Sequence, residues 1–181
     1  MKKLGILSGT FDPVHKGHVD FALESIKVCG LERVYLLPER SPRRKKNLTD
    51  FAHRLEMLKL AAGSHKQLEV LQVSEPRFTN AVTLPKLRSQ FAPDQLVFLM
   101  GSDVAATLGG WPGLKPLIVG LRNNDDRREL EKLLSKLRVL RQTTFITSPR
   151  AQLASSQLRN SQLKDLDPLV LAYIKRHKLY S

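Results

Sequence analysis

Residues 4–18, LGILSGTFDPVHKGH, constrain the fold of this chain more than any other stretch. The apolar start has the length of a buried strand, and residues 8–13 are rich in residues that break helices and strands. From residue 15 onward, apolar side chains recur at the spacing of an amphipathic helix. The first thirty residues therefore predict a strand, a glycine-containing turn and a helix.

Two histidines lie where this predicted helix begins. In an open α/β sheet, ligands bind beyond the carboxyl ends of the strands, and a first helical turn offers unpaired N–H groups to a phosphate. His15 and His18 share a helix face, from which imidazoles can donate to phosphate oxygens. Gly9 and Gly17 would let a nucleotide approach the backbone closely. The pattern favours a nucleotide site over half of a metal site, because the other histidines show no matching ligand spacing.

Strands and helices alternate along the whole chain, which predicts an α/β protein with a parallel sheet. The predicted strands are residues 4–7, 34–37, 68–73, 96–100, 117–119 and 145–147. Further helices are predicted at residues 51–62, 81–91, 126–137, 155–162 and 168–177. In the helix at residues 51–62, the expected packing face consists of Phe51, Leu55, Leu58 and Ala62. We expect one domain over residues 1–181, with the helices of residues 155–181 packing on it.

The net charge of +13 is the one unusual feature of the composition. It fits nucleic-acid binding, an electropositive cleft for polyphosphates, or simply a basic proteome. Aromatic residues do not interleave with the basic ones, so we do not expect a nucleic-acid partner. No stretch approaches the roughly twenty apolar residues of a membrane span, and the apolar run after Lys3 is too short for a signal peptide. We therefore expect a cytoplasmic protein without a membrane partner.

Three later stretches could bring further groups to the same edge of the sheet. Residues 43–46 are four successive cations, which could neutralise a triphosphate or form a solvated or RNA-binding loop. Asp103 follows a predicted strand, where an acid can bind ribose hydroxyls or cap a helix. Trp111, in a Gly-Gly-Trp-Pro-Gly loop, could stack on a base or a pyridine ring, or fill the core.

A fourth stretch, residues 154–159, has the sequence ASSQLR. Ser155 or Ser156 would cap a helix whose free N–H groups face outward, and Arg159 lies one turn further on. Together they predict an anion clamp suited to the β- and γ-phosphates of a nucleotide. The alternative is an ordinary capped surface helix.

GTFDPVHKGH resembles the HxGH signature of the nucleotidyltransferase superfamily, and ASSQLR resembles its second signature, ISSTxIR. Matches along the chain, such as RLEML at residues 54–58, resemble the nicotinate mononucleotide adenylyltransferase family. The resemblance implies a Rossmann-like open parallel sheet with helices on both faces. It implies transfer of AMP from ATP to nicotinate or nicotinamide mononucleotide in NAD biosynthesis, with release of pyrophosphate. The alternatives are adenylyl transfer to phosphopantetheine, cytidylyl transfer to a small phosphate, and a non-catalytic nucleotide- or RNA-binding relative.

The same resemblance assigns site residues. It implies catalytic roles for His15, His18 and Arg159. The implied ATP-binding residues are Gly9, Thr10, Phe11, His18, Lys45, Gly101, Asp103, Ser155, Ser156 and Arg159. The implied acceptor-binding residues are Thr10, Thr79, Thr83, Trp111 and Arg122. Mg²⁺ is expected to arrive with ATP rather than in a protein metal site, because no carboxylate cluster is evident in the sequence. The oligomeric state is not predicted.

Overall fold

A six-stranded sheet forms the centre of the computed structural model. The structure describes residues 3–42, 47–91, 96–106, 114, 116–122, 125–148, 150, 153, 155 and 163–180. The strands are β1 (Lys3–Gly9), β2 (Leu31–Pro38), β3 (Leu68–Val70), β4 (Leu96–Gly101), β5 (Leu117–Gly120) and β6 (Thr143–Ile146). The helices are α1 (Lys16–Cys29), α2 (Phe51–Gly63), α3 (Thr83–Gln90), α4 (Ser102–Ala105), α5 (Asp125–Lys136) and α6 (Pro168–His177).

The strand order is β3-β2-β1-β4-β5-β6, and every neighbouring pair is parallel. The chain builds outward from β1 through β2 to β3, and then crosses back to place β4 on the other side of β1. The strand order therefore reverses between β1 and β4, which is where open α/β sheets bind their ligands. This arrangement confirms the predicted Rossmann-like open parallel sheet and the central position of β4.

Helices cover both faces of the sheet because the central strands are apolar on both sides. In β1, Ile6 belongs to one hydrophobic cluster and Leu7 to the other. In β4, Phe98 and Leu99 divide in the same way. Near-continuous apolar runs of this kind are typical of parallel strands buried on both faces. Buried side chains of α1, α2 and α6 join one cluster, and those of α3, α4 and α5 join the other.

Helix α6 has the bounds predicted from the sequence. The Asp167 side chain accepts a hydrogen bond from the Leu169 backbone N–H, and Pro168 occupies the first turn, where its missing N–H costs nothing. Val170 and Ile174 are buried in the cluster that also contains the packing face of α2. The packing of α6 on α2 is consistent with one domain over residues 1–181, which stays a prediction.

The packing face of α2 differs from the prediction. Its buried residues are Arg54, Met57, Leu58, Ala61 and Ala62, whereas Phe51 and Leu55 are only half-buried. The expected face was wrong in including those two residues, because Arg54, Met57 and Ala61 are buried with Leu58 and Ala62 instead. Strand β3 also ends three residues earlier than the predicted residues 68–73.

Among the helices described, none has the length and apolar character needed to cross a membrane.

Candidate active site

A cleft of about 640 Å³ opens at the carboxyl ends of β1 and β4. Its floor is the loop that joins β1 to α1, and its sides come from the residues that follow β4 and β5. Among the residues predicted for the site, the cleft is lined by Gly9, Thr10, Phe11, His15, Gly17, His18, Gly101, Asp103, Arg122 and Ser155. The cleft therefore lies at the point where the strand order reverses, as expected for a ligand site in this kind of sheet.

The two signature histidines form a stacked pair at the start of α1. His15 is the N-cap residue, and its backbone N–H donates to Nδ1 of His18 at 3.3 Å. The two ring centroids are 3.7 Å apart, with 29° between the ring planes. Phe11 is almost fully buried at 1% exposure and meets the His18 ring edge-on at 5.0 Å. Because Nδ1 of His18 accepts a hydrogen bond, its neutral ring carries the proton on Nε2.

His15 is buried, and this sets its charge. Its exposure is 4%, and burial together with the positive charge of Arg122 lowers its pKa from 6.5 to about 4. Its Nδ1 atom is buried without a hydrogen-bond partner among the residues described. A buried polar atom that lacks a partner calls for a ligand or a water molecule. At neutral pH the cleft therefore contains a neutral imidazole that a phosphate oxygen could engage.

The lowered pKa of His15 predicts a pH-dependent stability. Between about pH 6.5 and about pH 4 the unfolded chain binds a proton that the folded chain excludes, so the free energy of unfolding falls as the pH falls. The full loss is about 3 kcal/mol. Urea unfolding of the wild type and of His15→Asn at about pH 7 and about pH 4.5 would test this, since the variant lacks the titrating group. An equal pH dependence in both proteins would contradict it.

Gly17 is required by protein packing. A Cβ atom there would lie 2.8 Å from the backbone oxygen of Arg150 and 3.0 Å from Nδ1 of His15. Any side chain would therefore displace either the chain that leads to Ser155 or the His15 ring. Gly17 also lines the cleft, so its backbone stays open to a ligand, and the expectation that a nucleotide approaches it closely stays a prediction.

The carboxyl ends of β4 and β5 contribute an ion pair. The guanidinium of Arg122 donates to Oδ2 of Asp103 at 3.1 Å, with both side chains about half-exposed. The pair adds little stability because solvent screens it. Gly101 is the N-cap residue of α4, so the expectation that Asp103 could itself cap the helix was wrong. The structure thus brings together a residue predicted to bind ATP and one predicted to bind the acceptor.

Ser155 connects the second signature to the first. Its hydroxyl donates to the backbone oxygen of Pro13 at 3.0 Å, across most of the chain length. This contact places the start of the ASSQLR segment against the loop that leads to His15 and His18. The remaining predicted site residues, Lys45, Trp111, Ser156 and Arg159, lie outside the described residues.

Thr79 and Thr83 are not among the residues that line the cleft. Thr83 is fully buried, and its hydroxyl accepts a hydrogen bond from the Thr79 backbone N–H at 3.0 Å. The Thr79 hydroxyl in turn accepts from the Val82 backbone N–H. The structure thus shows these side chains fixing the start of α3, and their contact with an acceptor stays a prediction.

Sequence reasoning missed two arginines that line the cleft, Arg77 and Arg150. Arg150 forms an ion pair with Asp20 on α1, while Arg77 precedes the buried Phe78. Together with Arg122 they bring three guanidinium groups to the wall of the cleft, although Arg122 is paired with Asp103 and Glu39 also lines the cleft. Guanidinium groups so placed can pair with an anionic ligand. Each of these two arginines lies shortly before a segment that resembles a family motif, and this was the signal that could have identified them. In a chain with a net charge of +13, many arginines lie near such segments, so the signal does not single these two out.

A parallel sheet whose strand order reverses beside two helix-capping imidazoles defines a nucleotide-binding α/β protein. The model of the cytidylyltransferase-like family matches residues 6–161, and the chain therefore belongs to that family. This finding confirms the resemblance carried by GTFDPVHKGH.

Individual relatives agree with that assignment. Nicotinate-nucleotide adenylyltransferase of Bacillus subtilis is 39% identical over 124 residues, which span 65% of each chain. A probable nicotinate-nucleotide adenylyltransferase of Neisseria meningitidis serogroup A is 31% identical over 195 residues, 99% of both chains. Nicotinic acid mononucleotide adenylyltransferase of Plasmodium falciparum, solved in complex with NaAD, has the same fold, with a TM-score of 0.77. The match covers 99% of this chain and 98% of the Plasmodium chain, at 21% sequence identity.

Proposed function

We propose that this chain is a nucleotidyltransferase that moves AMP from ATP to nicotinate mononucleotide, releasing pyrophosphate, as a step of NAD biosynthesis. The observation that carries the proposal is the cleft itself, where the paired histidines, the helix N-terminus and Ser155 surround the carboxyl end of β1. The names of the bacterial relatives support the choice of acceptor. The Plasmodium structure with NaAD supports a cleft that accepts a pyridine dinucleotide.

The reaction needs no general base. The phosphate of the acceptor mononucleotide is already anionic near neutral pH, so its oxygen can attack the α-phosphorus of ATP directly. One P–O bond forms to the acceptor, the bond to the β-phosphate oxygen breaks, and the electron pair leaves with pyrophosphate. Catalysis then depends on alignment and on stabilising the charge that develops. A wall of imidazoles and arginines suits that task.

In this proposal, three elements of the cleft bind the phosphates of ATP. His15 and His18 at the start of α1 would bind ATP phosphates and the charge developing at the α-phosphorus. Gly9, Thr10 and the backbone of Phe11 would line the path of the triphosphate. The segment that starts at Ser155 would hold the leaving pyrophosphate through Ser155, Ser156 and Arg159, with Lys45 as a further cation.

The ribose and the pyridine ring would lie toward β4 and β5. Gly101 and Asp103 follow β4 and would bind ribose hydroxyls, as acids do in dinucleotide folds. Arg122 would pair with an anionic group of the acceptor, and its position in the cleft beside Asp103 supports this role. Trp111 would stack on the pyridine ring, and Thr79 and Thr83 are proposed as further contacts of the acceptor.

Mg²⁺ fits this cleft as a companion of ATP. Within the part of the chain that the structure covers, no three metal-ligating side chains come together, and Mg²⁺ is commonly held through substrate phosphates. When bound, the ion would neutralise charge on the triphosphate. The cytoplasmic location inferred from the sequence stays a prediction.

An acceptor panel tests the function. We expect pyrophosphate release from ATP and Mg²⁺ with nicotinate mononucleotide and little with phosphopantetheine. Nicotinamide mononucleotide in the same panel separates acid from amide preference at the pyridine ring. CTP with a small phosphate ester tests the cytidylyl alternative. His18→Ala in parallel shows whether the release arises at this cleft.

Release with phosphopantetheine alone, or with CTP alone, would overturn the choice of acceptor while keeping the chemistry. No release with any acceptor would overturn the enzyme assignment. In that case salt-sensitive RNA binding would support the non-catalytic alternative.

A further inference from the structure

The loop between β1 and α1 takes part in a buried polar contact that the proposed chemistry does not use. Asp12 lies in the loop between β1 and α1, is 1% exposed, and is not among the residues lining the cleft. Its Oδ1 accepts a hydrogen bond of 2.5 Å from the hydroxyl of Tyr180, a residue 168 positions further along the chain. Its Oδ2 accepts from the Thr49 backbone N–H at 3.4 Å. A buried carboxylate therefore joins the loop to the segment beyond α6.

The chain beyond α6 turns sharply to reach this contact. The N–H of Lys178 donates to the Lys175 oxygen and the N–H of Leu179 to the Ile174 oxygen, which is the pattern that ends many helices. Lys178 has φ 51° and Tyr180 has φ 60°, a left-handed backbone that non-glycine residues adopt rarely. Two such residues within three positions are retained where the surroundings fix the conformation. Lys178 is the C-cap of α6, where a left-handed residue is common. At Tyr180, packing against the core and the hydroxyl bond to Asp12 both act on the side chain.

The contact lies next in the chain to residues that touch His18 and Ser155. Asp12 follows Phe11, whose ring packs on the edge of His18, and precedes Pro13, whose oxygen accepts from Ser155. A shift of Asp12 would therefore move both the His18 support and the anchor of the second signature. A hydrogen bond to a buried carboxylate is charge-assisted and stronger than a neutral one, so its loss would loosen this segment.

We propose that Tyr180 is a positioning residue for ATP binding, acting through Asp12 to hold the loop that carries His15 and His18. It does not touch the nucleotide. The proposal rests on the proposed function for its choice of ATP as ligand, but it makes no use of the acceptor. It extends the site to a side chain that lies beyond the last helix and outside both signatures.

The chain offers a matched control. Tyr173, on α6, also has its hydroxyl hydrogen-bonded to a side chain of α2, Nδ1 of His53, at 2.9 Å. Neither partner of that bond lines the cleft. Tyr173→Phe therefore removes an equivalent hydroxyl from the same helix region without affecting Asp12.

The test is calorimetric binding of a non-hydrolysable ATP analogue with Mg²⁺ to the full chain, well below its melting temperature. We expect Tyr180→Phe to weaken binding about tenfold, since misplacing a site by a fraction of an ångström has effects of this order or larger. Tyr173→Phe should bind like the wild type. Equal affinity of Tyr180→Phe and the wild type would overturn the proposal, because a purely structural role would lower stability and leave the affinity of the folded protein unchanged.

Asp12→Asn examines the same contact from the loop side and serves if Tyr180→Phe does not fold. It should also weaken binding of the analogue. Because the two side chains act as one unit, the double variant should bind no more weakly than Asp12→Asn alone. Multiplied losses in the double variant, or an unchanged affinity of Asp12→Asn, would overturn the proposal. A wild type that binds the analogue but releases no pyrophosphate with any acceptor would instead refute the proposed function alone.

Discussion

Arg54→Met is expected to lower the free energy of unfolding by about 3–5 kcal/mol. Arg54 is 1% exposed, although it carries a full charge. Its guanidinium donates to the backbone oxygens of Thr10, Glu39, Arg40 and Thr49, at 2.7 to 2.9 Å. Methionine fills much of the same volume but leaves those buried carbonyls without their donors. Urea unfolding monitored by circular dichroism measures the loss.

Arg54→Lys separates the guanidinium's geometry from its charge. Burial lowers the pKa of Arg54 while the Asp12 carboxylate opposes that shift, so a nearby anion accompanies the buried cation. Lysine keeps the charge, but its three donors radiate from one atom and cannot reach carbonyls spread around a planar fork. We therefore expect Arg54→Lys to recover only a minor part of the stability lost in Arg54→Met.

Arg128→Met, on the exposed side of α5, is the control and should change stability by no more than about 0.5 kcal/mol. A loss below about 1 kcal/mol in Arg54→Met would contradict the interpretation, because water would then be replacing the arginine at the four oxygens.

Two of those oxygens, on Thr10 and Glu39, lie just beyond β1 and β2. ATP affinity should therefore fall together with stability.

The parts of the fold that the sequence predicted well are those specified by neighbouring residues. Helix α6 has the predicted bounds, and the features that stabilise it are local: its N-cap aspartate and the proline of its first turn act within a few positions. The turn from β1 into α1 was predictable for the same reason. Its glycine, aspartate and proline interrupt two strongly periodic segments.

The burial of Arg54 could not be predicted in this way. Periodicity places an arginine on the solvent face of a helix, whereas its acceptors lie up to 44 positions away and exist only once two loops meet. The contact between Asp12 and Tyr180 has the same origin, since nothing local marks either residue as a partner of the other. Long-range polar contacts of this kind depend on the completed fold.

The sequence predicted which residues form the candidate site better than it predicted their charge states. The signatures identified both histidines, and the structure brings Ser155 to their loop. The neutral state of His15 was not foreseeable, because it arises from 4% exposure and a nearby Arg122 that enters from β5. Thr83 was predicted as an acceptor-binding residue from motif resemblance. In the structure its hydroxyl accepts a hydrogen bond from the Thr79 backbone N–H at the start of α3.

His18→Ala is expected to lower kcat for pyrophosphate release by roughly a hundredfold or more, by analogy with the loss of one donor to a developing charge. His18 is held by stacking on His15 and by the edge contact with Phe11, so its ring is already oriented in the free protein. If its donor acts mainly in the transition state, kcat and kcat/KM should fall together while KM for ATP changes little.

Two further substitutions identify the atom responsible. The His15 backbone N–H donates to Nδ1 of His18, which leaves Nε2 as the proton-bearing nitrogen. Asparagine can replace the Nδ1 acceptor but lacks a donor at the Nε2 position, whereas the longer glutamine can place an amide N–H near it. His18→Gln should therefore retain more turnover than His18→Asn, and His177→Ala on α6 should behave like the wild type. Near-normal turnover in His18→Ala, or a better His18→Asn than His18→Gln, would refute a catalytic donor at Nε2 and leave His18 as a helix cap.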